Sequence, residues 1–340
     1  MAVWRRRSRH LVALVLAGAA MTSVAAAGAA SPAPSDEQFD CTTLADEPDP
    51  ESARAWFERS LWAGHCYVFQ ARAVRIGVDG VRTLALSHEI RDGVEREVAR
   101  FLDGPPVVFE RQGRIARLNG MAAGPTLASP AAIVQHLDGL YRLQLSGEDR
   151  IAGRRTLRLE IEPLDEMRYG HRLWLDARTA LPLKQMLLDE QGRVVETFQV
   201  TELRAPRLHD GRVGLAPGQA PGEDRWRPGW LPEGFVAQPV KTHGRRRPGV
   251  SHRVYGDGLA TLSVFVEPLE GQDLLIPGVH RLGVSHAAVL HRELGGQPRQ
   301  VVAMGELPPR VLRRVVEAVE WQAEAADKAA DGGSATAEAQ

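Results

Sequence analysis

A chain of 340 residues, 44% hydrophobic and 25% charged, has room for about two domains with separate cores. Lysine and arginine number 42 against 43 acidic residues, and the net charge of −1 excludes the broad positive field of a general nucleic-acid binder. Neither Cys-x-x-Cys nor His-x3-His occurs among the 2 cysteines and 11 histidines, so no zinc framework and no cofactor are expected.

The first thirty residues follow their own pattern. "MAVWRRRSRH" is cationic, "LVALVLAGAAMTSVAAAGAA" is apolar, and Ala-x-Ala sites fall around Ala25 to Ala30. Together they predict a secretory signal peptide over residues 1–30, with an uncleaved membrane anchor as the competing reading. "QFDC" lacks the small residues that precede a lipidated cysteine, so Cys41 is not a lipoprotein anchor. No later segment is apolar enough to span a bilayer. The expected location is therefore a bacterial periplasm. There an even pair of cysteines, Cys41 and Cys66, reads as a disulfide; two free thiols, with Cys66 buried as a small hydrophobe, are the alternative.

Residues 31–48 are polar and proline-bearing and are predicted to be a disordered arm. In "DPESARAWFERSLW", Asp49 reads as an N-cap and Pro50 as the first helical residue. Ala53, Trp56, Phe57 and Leu61 then share one face of a short helix. From His65 the pattern turns to strands, punctuated by "VDG" at 78–80, "RDG" at 91–93, "LDGPP" at 102–106 and "RQG" at 111–113. Glycine takes positive φ without penalty, so these are hairpin turns of an antiparallel meander. "SPAAIVQHLDGLY" interrupts it with a helix capped by Ser129 and opened by Pro130.

A second meander follows. In "RTLRLEIEP", Leu157, Leu159 and Ile161 face one way and Thr156, Arg158, Glu160 and Glu162 the other. Three more strands end near residue 204, with turns near Asp176 and at Glu190–Gly192. Residues 205–225, rich in Pro, Gly and Ala, read as a linker. A smaller β-rich unit over residues 226–322 contains "HRVYGDGLATLSVFVE", where alternation on both sides of Gly256-Asp257-Gly258 predicts a hairpin. It closes with a helix opened by Leu307-Pro308-Pro309, whose stripe is Leu312, Val315, Val316 and Val319. Residues 323–340 read as a disordered tail.

Catalytic patterns are absent. The Ser-His pairs at 87–88, 251–252 and 285–286 lie in strand-like runs, where adjacent side chains point to opposite faces and cannot form a dyad. "GVSHA" at 283–287 lacks the second glycine of a nucleophile elbow. His280, His286 and His291 fit neither one helix face nor one strand face. Asp257 has no second carboxylate at metal-loop spacing and reads as a turn residue. The chain is expected to bind rather than catalyse.

Five blocks carry a resemblance: "LSHEIRDGVEREVARFLDGPPVVFERQG" (86–113), "MRYGHRLWLDARTALPLKQMLLDEQGRVVETFQV" (167–200), "WRPGWLPEGF" (226–235), "SHRVYGDGLATLSVFVE" (251–267) and "VVAMGELPPRVLRRVVEAV" (301–319). In this order they resemble the MucB/RseB family of periplasmic regulators of extracytoplasmic sigma factors. The resemblance implies a mainly β, α+β fold. Residues 49–204 would form an open antiparallel half-barrel of the lipoprotein-carrier type with helices packed on its concave face, followed by a smaller C-terminal α/β domain. It also implies a partner, the periplasmic domain of a single-span membrane anti-sigma factor, which the protein shields from regulated proteolysis until a lipid or lipopolysaccharide signal loosens the complex. A periplasmic lipid or lipoprotein carrier is the alternative, and a homodimer is left open.

Candidate site residues follow. Tyr169 and Trp174 are candidates for lining the concave cavity, with ordinary sheet packing as the alternative. Trp230 and Phe235 are candidate partner anchors, or core of the small domain. Arg245, Arg246 and Arg247 form a basic run suited to an acidic peptide or a lipid headgroup, or a solvated loop.

Overall fold

Alternating apolar residues recur along both halves of the chain, and each half closes its alternation into a sheet of its own. The computed structural model describes residues 37–104, 107–112, 129–215, 225–238, 249–269 and 274–322. The predicted signal peptide, the tail at 323–340 and Arg245–Arg247 lie outside the described residues.

The larger unit begins with β1 (Glu37–Asp40), the short helix α1 (Thr43–Asp46) and helix α2 (Ala53–Cys66). Next come β2 (Tyr67–Gly77), β3 (Gly80–Arg91), β4 (Val94–Phe101), β5 (Val108–Gln112), helix α3 (Pro130–His136) and β6 (Tyr141–Ile151). It ends with β7 (Arg154–Pro163), β8 (Gly170–Asp176), β9 (Pro182–Leu188), β10 (Val194–Leu208) and β11 (Arg212–Leu215). Nine of these strands form one antiparallel sheet in the order β5-β4-β3-β2-β10-β9-β8-β7-β6. Among the described strands β5 and β6 are edges and do not pair, so the sheet is open, as expected.

Helices α2 and α3 cover one face. Trp56, Phe57 and Leu61 of α2 and Ile133 and Val134 of α3 pack with Leu159, Ile161, Leu173, Leu175 and Val200 from the sheet. The period-two reading of β7 holds at Leu159 and Ile161, which are buried while Arg158 and Glu160 are not, but Thr156, expected on the other face, is buried as well. Ser129 caps α3 by accepting from the Ala132 amide, with Pro130 at the first turn. Helix α2, by contrast, starts later than expected. Ser52, in extended backbone conformation, places its side chain on the Ala55 amide, so the cap is Ser52 and not Asp49.

The predicted arm and linker are both corrected. Residues 37–46 of the arm carry β1 and α1, and β1 pairs with β11 from Glu37↔Leu215 to Asp40↔Arg212. Cys41 and Cys66 form a disulfide, around which Leu44 and Val213 are buried, and Phe39 stacks on Trp62 with centroids 3.6 Å apart. Four residues of alternation are too few to register as a strand, and the partner that orders them is remote in sequence. Within the predicted linker, β10 continues to Leu208 through a bulge between Arg204 and Arg207, where Ala205 has φ of 39°. The bulge breaks the alternation while the pairing with β2 persists.

The smaller unit contains β12 (Trp226–Pro228), β13 (Val236–Gln238), β14 (Ser251–Gly256), β15 (Thr261–Pro268), β16 (Gly278–Leu282), β17 (Ser285–Leu294), β18 (Gln297–Gly305), helix α4 (Pro309–Glu317) and β19 (Val319–Trp321). Six strands form an antiparallel sheet in the order β13-β14-β15-β18-β17-β16, and β12 pairs with β19 beside it. Helix α4 lays Val311, Leu312, Val315 and Val316 on Leu262, Val264, Val301 and Ala303. The expected hairpin is present, with Ser251↔Val266 through Gly256↔Thr261 in register.

The Cys41–Cys66 crosslink spans a separation of 25 residues. Replacing both cysteines by serine is expected to lower stability by about 3 kcal/mol through restored loop entropy in the unfolded chain. Urea unfolding of the two forms measures this.

Candidate functional site

Two features stand out on this scaffold: the junction between the two sheets and a groove on the larger one. At the junction, Asp257 occupies the β14–β15 turn and is fully buried. One carboxylate oxygen, Oδ1, accepts from the amides of Leu259 at 2.9 Å and Ala260 at 2.7 Å, which fixes the turn. The other, Oδ2, leaves the small domain. It accepts from Arg168 Nη1 at 2.6 Å and from the Tyr141 hydroxyl at 2.9 Å.

Arg168, in the segment between β7 and β8, is also fully buried. Its Nε and Nη2 donate to Asp165 at 3.1 and 2.9 Å, and Nη2 donates to the Glu233 carbonyl at 2.7 Å. Its guanidinium lies over the rings of Tyr141 and Phe235, at 5.4 and 5.6 Å. Burial alone pulls the Arg168 pKa down, but the Asp165 hydrogen bond and the neighbouring anionic groups outweigh it and hold it above the ordinary value. Burial, and then the Asp257 charge, push the Tyr141 pKa well above its ordinary value, which keeps its hydroxyl a neutral donor. Nearby, His136 Nε2 lies 2.7 Å from the Gly234 carbonyl. Gly234 has φ of 80°, a backbone conformation that favours glycine, and a Cβ there would also overlap the Leu140 side chain.

The groove lies where β10 bulges away from β2 and has a volume of about 540 Å³. Val68, Phe69, Ile90 and Leu208 supply apolar surface, Arg91, Arg204 and Arg207 supply positive charge, and Glu89, paired with Arg91 at 2.9 Å, and Asp210 supply negative charge. One wall includes His88, part of a buried chain of polar groups. His65 Nδ1 lies 2.8 Å from Glu95 Oε1, His88 Nε2 lies 3.7 Å from Glu95 Oε2, and His88 Nδ1 lies 2.7 Å from the Tyr67 carbonyl. Burial would raise the Glu95 pKa, but the hydrogen bonds of the two histidines reverse this and bring it to about 2. For His88, burial is outweighed by Glu95 and the Tyr67 carbonyl, and the pKa is raised.

The sequence-derived candidates scatter. Trp174 is buried in the main core, where its Nε1 donates to Asp149 at 2.7 Å and Lys184 sits 4.6 Å from its ring. Tyr169 is buried beside the junction, its pKa pushed up to about 12 by burial and then by Glu190 and Asp189. Neither lines the groove. Phe235 is buried over Arg168, whereas Trp230 is half-buried under Arg314, 3.9 Å from its ring. Among the described residues no cluster of His, Cys, Asp and Glu is arranged to hold a metal. The sequence pattern marks Asp257 only as a turn residue; nothing in its local sequence distinguishes a solvated turn from a buried one. The same holds for Arg168 and for Glu95.

Residues 52–220 match the model described as the MucB/RseB N-terminal domain, and residues 220–320 that of the MucB/RseB C-terminal domain. The chain is 34% identical over 298 residues to the sigma factor AlgU regulatory protein MucB of Pseudomonas aeruginosa, covering 80% of this chain and 92% of that protein. It is 25% identical over 289 residues to the sigma-E factor regulatory protein RseB of Escherichia coli strain K12, covering 75% and 86%. Among solved structures, the complex of P. aeruginosa MucA and MucB matches with a TM-score of 0.63 at 30% identity, over 80% of this chain and 99% of that one. A crystal structure of MucB matches with a TM-score of 0.55 at 31% identity, over 79% and 98%.

Asp257→Ala leaves Arg168 without its cross-domain partner and is expected to cost about 3–5 kcal/mol, read by thermal or urea unfolding. For Glu95 the native pKa lies below the ordinary value, so its contribution is present above about pH 4.5 and fades as pH falls toward 2. His88 has the opposite sign: its contribution is full below about pH 6.5 and fades as pH rises through its raised native pKa. The stability difference between wild type and Glu95→Gln should therefore be greatest between these limits and shrink in acid, as urea unfolding across pH 3–8 will measure.

Proposed function

The chain belongs to the MucB/RseB family, and from that premise we propose that it is a periplasmic negative regulator of an extracytoplasmic sigma factor. It binds the periplasmic segment of a membrane anti-sigma factor and shields that segment from proteolysis; its role is binding rather than catalysis. The observation that carries this reading is the match over both domains to MucB in its complex with MucA, reaching 99% of that chain.

The architecture suits the task. Among the described strands β5 and β6 are edges of the sheet, and such edges can pair with an extended peptide, while the junction holds two surfaces in a fixed relation. The half-buried Trp230 and the basic run Arg245–Arg247 are the partner contacts we assign to the smaller domain. A lipid response has its own support: the groove's apolar surface and arginines suit an anionic amphiphile. The same groove favours a second reading, a periplasmic lipid or lipoprotein carrier.

The purified full chain is expected to bind the periplasmic segment of the anti-sigma factor encoded beside its sigma factor, and to slow that segment's cleavage by its protease. Binding with no protection, or no binding by folded protein, sinks the reading. Transfer of acyl cargo to acceptor vesicles without anti-sigma binding would favour the carrier. Sedimentation of the same samples over a range of concentrations tests self-association.

A further inference from the structure

The groove on the larger sheet has one wall whose charge is not fixed. His88 lines it, yet the side chain is only 4% exposed. Its Nδ1 lies 2.7 Å from the Tyr67 carbonyl, which can only accept, so the hydrogen of a neutral ring sits on Nδ1. That leaves Nε2, which is buried with no hydrogen-bond partner among the described residues and stands 3.7 Å from Glu95 Oε2. The carboxylate is held in place from its other side, where His65 of α2 donates through Nδ1 to Oε1 at 2.8 Å. A neutral His88 therefore aims a lone pair at a buried anion with no hydrogen between them. A proton on Nε2 turns that opposition into an ion pair.

The other charges around His88 come from three sides. Glu97 of β4 stands opposite it in the β3–β4 ladder, and Phe69 of β2 places an uncharged ring 5.7 Å away. Along the groove, Glu89 and Arg91 come from β3 itself, and Arg204, Arg207, His209 and Asp210 from the end of β10 and the turn after it. Three arginines against two carboxylates leave the groove one positive charge in excess when His209 is neutral. The Glu95–His88 couple adds nothing to this while His88 is protonated, and one negative charge once it is not. A single buried proton decides whether the excess survives.

We propose that the groove is a proton-controlled site for an anionic headgroup, with His88 carrying the proton: the anion is held tightly while the ring is charged and weakly once it is neutral. This rests on the amphiphile reading of the groove and adds what regulates it. No movement of the strands is required. Burial disfavours the charged ring, but the Glu95 and Tyr67 hydrogen bonds outweigh it and hold the His88 pKa above its ordinary 6.5. Glu95, with its pKa at about 2, stays ionised throughout this range. A bound anion favours the protonated ring further. Affinity is therefore highest below about pH 6.5, falls as pH rises through the raised His88 pKa, and is level above that of the complex. The change expected for one charge bordering the headgroup is on the order of fivefold.

The test uses the full chain and two fluorescent probes with the same aromatic body. Anilinonaphthalene sulfonate keeps its negative charge at every pH used, and N-phenylnaphthylamine has none. Dissociation constants are measured from pH 5.5 to 9 at constant ionic strength. Wild type is expected to bind the sulfonate on the order of fivefold more weakly at the upper limit than at the lower, and the uncharged probe equally at both. His88→Asn, whose amide can still donate to the Tyr67 carbonyl, should bind the sulfonate weakly at every pH. Glu95→Gln, which removes the carboxylate charge, should bind it at pH 9 as tightly as wild type does at pH 5.5. Loss of structure would weaken both variants alike, so their opposite directions identify the charge of this couple. A sulfonate affinity that ignores pH in wild type overturns the proposal and leaves the amphiphile reading standing. A pH response that persists unchanged in both variants belongs to His209 and also overturns it. If neither probe binds, the amphiphile reading fails and the proposal with it. Should His88→Asn fail to fold, Glu95→Gln decides alone, and a wild-type pH response in that variant overturns the proposal.

Discussion

The arrangement of this molecule depends on one ion pair. Arg168 and Asp257 come from different domains, both are removed from water, and their remaining hydrogen bonds are met partly within their own domains, at Asp165, Leu259 and Ala260, and partly across the junction, at Glu233 and Tyr141. Desolvating two charges is so costly that the pair is tolerable only in its exact complement of partners, and a small rotation of one domain would strand both. Apolar packing accepts many near-equivalent registers; a buried, fully hydrogen-bonded pair accepts one. That specificity, more than net stability, is what a charged junction provides here, and Tyr141, Phe235 and the close approach at Gly234 are all aligned to it.

The larger sheet supplies what the junction cannot. Among the described strands β5 and β6 are the two edges of the sheet and do not pair with each other, and because β10 bulges at Ala205, the sheet has a groove beside β2. Helices α2 and α3 occupy one face and support the sheet without closing it. Binding surface and rigid frame are therefore made from the same strands. A partner at an edge and an amphiphile in the groove would act on one continuous hydrogen-bonded body.

The sequence made the regular elements legible wherever an element was long enough to repeat its own pattern. Leu159 and Ile161 marked a strand, Ser129 and Pro130 a helix start, and the stripe through Leu312 and Val315 the closing helix. The hairpin around Asp257 was visible for the same reason. What failed was either short or non-local. Strand β1 has four residues and is ordered by β11, from the far end of the domain. Ser52 and Asp49 are both good caps, and only the backbone path chose between them. At the site, Asp257 illustrates the limit well: its turn chemistry is written locally, but its burial is decided by Arg168, 89 positions away. His65 and Glu95 are likewise separated by 30 positions and meet only through sheet pairing. The family resemblance carried the functional reading further than any single residue did, because it spans both domains while local patterns do not.

The pairing of β1 with β11 sets an order of events as the chain is made. Residue 37 finds its backbone partner at residue 215, so nearly the whole larger domain lies inside the loop that this ribbon closes. A chain emerging from its N-terminus has Cys41 and Cys66 available early, but the strand that covers them arrives last. Until Arg212–Leu215 has emerged, Phe39, Leu44 and the two sulfurs lack the Val213 side of their small core. The first-made segment is thus among the last to be sealed, and its final burial reports that the domain behind it is complete.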